Sequence, residues 1–219
     1  MRDDEATCRT SLRSKEEEPG SPWLSWRSLA HFAQDSTRWH VGVVSCVDSL
    51  CGGDPYRHDR LAILGIGRRG MTLTLYPEEA PTIASARAEI DSVEIFQGSD
   101  HALVLARLDT DTQRPCSAGP EPYADETGYF VLLRGGQVAQ AFRIDLGADW
   151  GSHDDVDGDT GGTRATTLRA SNDSVTATFQ IEDWHERSAP PWGEERHGTD
   201  SGVVRFAYSA DSTRFVRVE

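Results

Sequence analysis

The sequence predicts an all-β protein, an antiparallel meander of about 10–11 strands. Three observations predict it. Short runs of strand formers recur along the chain, separated by Gly, Pro, Asn, Asp and Ser. No alternation of strand and helix patterns appears, so no parallel βαβ unit is expected. The stretch Tyr129 to Asp145, YFVLLRGGQVAQAFRID, reads as a hairpin about Gly135-Gly136 that is apolar on both faces. The meander suits a barrel, a two-sheet sandwich or blade-like sheets, and the pattern does not choose among them.

Residues 1–21 are polar and charged and read as a disordered arm; residues 22–219 read as one all-β domain. Pro22 to Ala33 is the one expected helix. Ser21 can cap it, Pro22 suits its first position, and Trp23, Trp26, Leu29, Ala30 and Ala33 fall on one stripe. Strand runs then begin at Trp39 and at Leu61. Arg68-Arg69-Gly70 turns the chain into a third, Met71 to Tyr76. There Met71, Leu73 and Leu75 alternate with Thr72, Thr74 and Tyr76, which predicts a core face made of the first three.

A helix over Ala84 to Ile90 competes with a strand through Ile90, Val93 and Ile95. Ala102 to Leu108 is almost continuously apolar, the mark of a strand covered on both faces. A long loop is expected from Asp109 to Thr127, and the glycine hairpin follows. Glycine adopts the positive φ that a two-residue hairpin turn requires. A regular ladder from that turn pairs Leu133 with Val138 and Val131 with Gln140. It places Tyr129, Val131, Leu133, Val138, Phe142 and Ile144 on one face, and Phe130, Leu132, Ala139 and Ala141 on the other. Further long loops are expected at Gly147–Thr163 and Glu182–Ser201. Between them a hairpin turns Val175, Ala177, Phe179 and Ile181 inward, and a last hairpin carries Val204, Phe206 and Tyr208.

The formal net charge of −14, with no cluster of Lys or Arg, argues against nucleic acid and against an anionic membrane surface as partners. No run approaches the about 18 apolar residues of a membrane-crossing helix. The opening residues carry no apolar signal region, which predicts a cytoplasmic protein by default, or a periplasmic or secreted one if the true start lies upstream. Lys15 is the only lysine; arginine-rich coding is the first reading, adaptation to high salt the second.

Each candidate site has a plain structural alternative. Asp155, Asp157 and Asp159 alternate in a glycine-containing loop that can supply several oxygens to calcium. Thr160 and Thr166 stand where an EF-hand has glycine and glutamate, so only a generic calcium loop competes with a solvated acidic loop. Cys46 and Cys51, with His40 and His58 nearby and Cys8 and Cys116 remote, fit no usual zinc spacing; a local disulfide or buried thiols are the simpler readings. Trp150, Trp184 and Trp192 fall among carboxylates and histidines and offer a ligand-binding surface. Asp183, His185 and Glu186 are the acid–base candidates of such a cleft; otherwise the tryptophans cover the core. No nucleophile elbow or phosphate loop is present, and Gly65 to Gly70 carries the letters of a dinucleotide fingerprint on a hairpin turn. The leading expectation is a non-catalytic binding or structural module working through its long loops on a small molecule, glycan or protein. The alternative is a hydrolase acting on carbohydrate or another polar polymer.

Overall fold

A computed structural model describes residues 23–48, 56–68, 70–76, 87–111, 124–154, 158–186 and 196–218. Every regular element in them is a strand: β1 (Trp23–Gln34), β2 (Thr37–Asp48), β3 (Tyr56–Gly67), β4 (Gly70–Tyr76), β5 (Arg87–Gln97), β6 (His101–Asp111), β7 (Ala124–Arg134), β8 (Gln137–Asp154), β9 (Gly158–Ala170), β10 (Ser174–Glu186), β11 (Arg196–Ser209) and β12 (Arg214–Val218). The antiparallel meander expected from the sequence is present. It forms two antiparallel sheets, β1–β4 and β5–β12, joined by a single parallel bridge between His58 and Ala88. The strands do not close into a barrel; β1 and β12 are the ends of the path.

Three layers result, and the alternation of side chains explains them. In β6, Val104, Ala106 and Leu108 pack with Trp39, Val41, Val43, Leu61 and Ile63 of the first sheet. The intervening Leu103 and Leu105 pack on the opposite side with Val175, Ala177 and Phe215 of the C-terminal strands. β7 divides likewise, Val131 and Leu133 one way, Phe130 and Leu132 the other. The residues from Ala102 to Ala106 and from Phe130 to Leu133 are each at most 1% exposed. The double-faced burial expected of these runs is therefore what the fold uses: the second sheet rolls so that β9–β12 cover the far side of β6–β8. Gln140 of β8 fastens the roll, donating to the Phe215 carbonyl at 3.1 Å and accepting from the Phe215 N–H at 2.7 Å.

Several expectations are corrected. Of the helix expected over Pro22–Ala33, Pro22 lies outside the described residues and the rest, from Trp23, is β1, paired with β2. A bulge between Ser28 and Ala30 shifts the register by one. It lets Leu29 and Ala30 both pack toward the first core, which breaks the two-residue period and imitates a helical stripe. Ile90 and the residues back to Arg87 belong to β5, not to a helix. Gly135 and Gly136 do turn the chain, with φ of 59° and 78°. Beyond Val138, however, Leu132 pairs with Gln140 and Val131 with Ala141. Ala139 is the extra residue, so Phe142 and Ile144 join Phe130 and Leu132 instead of Val131.

The loops expected at Gly147–Thr163 and Glu182–Ser201 are largely ladder, because β8 runs to Asp154, β9 starts at Gly158, β10 runs to Glu186 and β11 starts at Arg196. β6 and β7 likewise extend to Asp111 and from Ala124. Aromatic rings laid over cross-strand glycines help explain how such glycine-rich ladders hold: Trp150 over Gly162, Trp184 over Gly161 and Phe179 over Gly202. A ring in that position fills the gap a missing side chain leaves on the pleat.

Two polar devices hold the layers together. Asp59 is 2% exposed, at the seam where the sheets share one bridge among the described residues. It accepts from Ser45 Oγ at 2.6 Å and from the Ile90 N–H at 3.2 Å, satisfying an amide that the broken ladder would otherwise leave unbonded. His101, also 2% exposed, ties the β5–β6 turn to the β9–β10 turn. Its Nδ1 lies 2.8 Å from Asp100 Oδ1, its Nε2 donates to the Asn172 carbonyl at 2.8 Å, and its ring stacks on Tyr208 at 3.9 Å. That hydrogen bond holds the Asp100 carboxyl below the usual aspartate range, with Arg134 contributing.

Candidate functional site

The register divides the expected site residues between two faces of the sheet: Trp150 and Asp183 both stand opposite Gly162, and Trp184 stands on the other face. Trp150 pairs with Gly162 and lies over it; Trp184 pairs with Gly161 and lies over that. Gly161 and Gly162 are consecutive in one strand, so the two rings lie on opposite faces of the sheet. They do not share a cleft. Asp183 is exposed in β10 opposite Gly162 and Gly198. His185 and Glu186 pair through the backbone with Thr160 and Asp159. Trp192, Asp155 and Asp157 lie outside the described residues, and Asp159 stands near the start of β9. Cys46 is in β2 with His58 as its backbone partner; Cys8, Cys51 and Cys116 lie outside the described residues. Among the described residues, no group of three or more His, Cys, Asp or Glu is placed to hold a metal ion. No described helix is long and apolar enough to cross a membrane.

A cleft the sequence did not announce opens at the seam of the two sheets. It measures about 390 Å³ and is lined by Arg27, Asp59, Glu89, Ile90, Asp91 and Asp109. Burial, then Glu126, Asp91 and Glu89, push the Asp109 carboxyl above the usual range. Asp59 at its base is already engaged by Ser45 and Ile90, which gives this cleft a structural account.

The least expected surface is the outer side of β3 and β4. In the β3–β4 ladder, Leu61, Ile63 and Gly65 stand opposite Tyr76, Thr74 and Thr72, while Ala62, Leu64 and Ile66 stand opposite Leu75, Leu73 and Met71. Leu61, Ile63 and Tyr76 are in the core. The expected core face of β4 is therefore its outer face: Met71 is 71% exposed and Leu73 56%. Both faces of β3 are apolar, so the pattern of β4 alone cannot say which side turns inward; pairing with β3 decides it. Inward, the Trp39 ring lies against Gly65, with Thr72 Oγ1 beside it, and small threonines fit over that ring where leucines do not.

Among the described residues, four of the seven large exposed hydrophobics, Trp26, Ile66, Met71 and Leu73, lie on this side of the first sheet. Following the ladders across β1 to β4, its described side chains include Arg38, Arg60, His31 and His40 and no carboxylate. That is a local inversion on a chain with 36 acidic residues. Among the described residues β4 pairs only with β3, leaving a second edge of seven residues, GMTLTLY, without a charge, a proline or a bulge. Soluble proteins guard such edges, because an unguarded one is a template for another strand.

No protein-family model, no curated protein and no solved structure matches this chain.

Proposed function

We propose that the chain is a non-catalytic interaction module whose working surface is the edge and outer face of β3–β4, where it docks an extended polypeptide strand. The observation that carries the reading is the unguarded edge of β4 beside the exposed pair Met71 and Leu73. Strand addition takes affinity from backbone hydrogen bonds and selectivity from every second side chain. β4 offers both, with its alternate apolar residues turned to solvent. Trp150 and Trp184 lie on opposite faces, so the hydrolase alternative does not have both of these rings on one surface. The surface differs from the long loops expected to serve this role, most of which are ladder.

The test asks whether the exposed strip serves binding or folding. Met71→Lys combined with Leu73→Lys is expected to change unfolding free energy by no more than about 0.5 kcal/mol, as for ordinary surface positions. Denaturant melts of the full chain, at a dilution where mass measurements show a monomer, measure it. A loss of about 2 kcal/mol or more would make the strip part of the fold's own packing and end the reading.

A further inference from the structure

We infer that the strand docked on β4 is β4 of a second copy of this chain, paired antiparallel about a two-fold axis that is perpendicular to the sheet and passes midway between the two copies' Leu73. The inference rests on the docking surface proposed above and names its occupant.

The first argument is comparison among edges. Among the described residues three strands have a single partner: β1, β4 and β12. β1 is bent by its bulge and carries Arg27. β12 is five residues long, with Arg214 and Arg217 exposed. Of these three, only β4 is both uncharged and free of a register shift, over seven residues.

The second is symmetry. An isologous contact requires a patch that complements itself. Leu73 is the central residue of Gly70–Tyr76. Antiparallel pairing about it sets Leu73 against the second copy's Leu73, and Met71 against the second copy's Leu75. On the other face Thr72 meets the second copy's Thr74. Apolar pairs thus meet apolar pairs and hydroxyls meet hydroxyls, each a favourable cross-strand combination. The outer strips of both copies, extended by Leu64 and Ile66, merge into one.

The third is charge. Two chains of net charge −14 repel wherever carboxylates face each other. The described side chains of β4 and of the outer face beside it include none. Copies approaching here keep their acids apart, and added salt weakens the repulsion that remains. One strand pair with its strip covers less than the standard interface of about 800 Å² per partner, so the dimer is concentration-dependent.

Sedimentation equilibrium of the full chain, with reductant present so that cysteine cross-links do not count, tests this. The apparent mass should rise from one chain to two with concentration. Sodium chloride should move the midpoint to lower concentration, and Leu73→Lys should move it at least tenfold higher. A monomer at every concentration and salt overturns the inference; if the doubly substituted variant folds normally, the docking edge survives and its occupant is a foreign strand. A dimer that Leu73→Lys leaves intact also overturns it, because the contact then lies elsewhere.

Discussion

Gly65 shows how one missing side chain sets a local geometry. A Cβ there would stand 2.7 Å from Trp39 Cζ3 and 3.0 Å from Thr72 Oγ1. Trp39 is 1% exposed and has nowhere to move. Gly65→Ala is therefore expected to destabilise by about 1–3 kcal/mol, the usual cost of overpacking. Gly147→Ala is the control, since its nearest neighbour, Glu126 Cβ, would lie at 3.5 Å, and it should stay within about 0.5 kcal/mol. Calorimetric melts of the two variants separate close packing from a general intolerance of side chains in these strands. Asp125 makes the matching electrostatic case. Burial raises its carboxyl above the usual range, Asp145 adds to this, and Arg143 and Arg164 oppose it. A raised folded value means stability that is complete below the ordinary aspartate range and is lost as pH rises through the folded value. Asp125→Asn should thus raise the melting temperature at neutral pH, with the gain vanishing on acidification below the ordinary range. A gain that persists in acid would assign the effect to something other than this titration.

At the level of elements, the bulge in β8 decides what the hydrophobic pattern can mean. Ala139 lets Val138 pack on one core and Phe142 and Ile144 on the other. Deleting Ala139 removes the extra residue but keeps the pairs on either side of it, Leu133 with Val138 and Leu132 with Gln140, so the ladder becomes regular and no residue changes face. Phe142, which stacks on Phe130 at 4.9 Å and touches Phe206 and Phe215, should keep its place in that cluster. The deletion is expected to cost less than about 3 kcal/mol, the ordinary range for a single change, in denaturant melts; a loss above about 4 kcal/mol would show that the roll of the sheet needs the bend of the bulge itself. The same device marks where the sequence was legible. β6 and β7 were, because a run apolar at every position has few places to go but between two layers. β1 was not, because its bulge turned a strand's alternation into a helix-like stripe. The glycine-rich ends of β8 and β9 read as loop until the rings of Trp150 and Trp184 were seen lying over Gly162 and Gly161. The candidate site was least legible, since it depends on register. The alternation in Met71 to Tyr76 was plain, but only pairing with β3 shows that the apolar half faces outward.

The whole molecule sets a thin three-layer fold against a large surplus of negative charge. With 36 acidic residues against 22 basic ones, pairing cannot neutralise the surface. The ion pairs that form, such as Arg107 with Glu126 at 3.2 Å and Arg164 with Asp145 at 3.5 Å, are partly exposed, so each contributes little. Two covered strands, β6 and β7, anchor both cores, and the layers on either side hold most of their polar surface in water. Unfolding moves the like charges apart, so their repulsion weighs against the folded state. Screening should relieve it: the Debye length falls from about 10 Å at 0.1 M salt to about 3 Å at 1 M. For a chain of this size each kcal/mol recovered raises the melting temperature by roughly 2–4 °C. Sodium chloride titrated over that range, at a dilution where mass measurements show a monomer, should raise the melting point by several degrees. Dilution matters because association at β4 would raise the melting point too, and would do so in proportion to protein concentration. A melting point that stays flat or falls under those conditions would show that the fold's limits lie in its packing, at the seam bridged by Asp59 and in the clip at His101, and not in its charge.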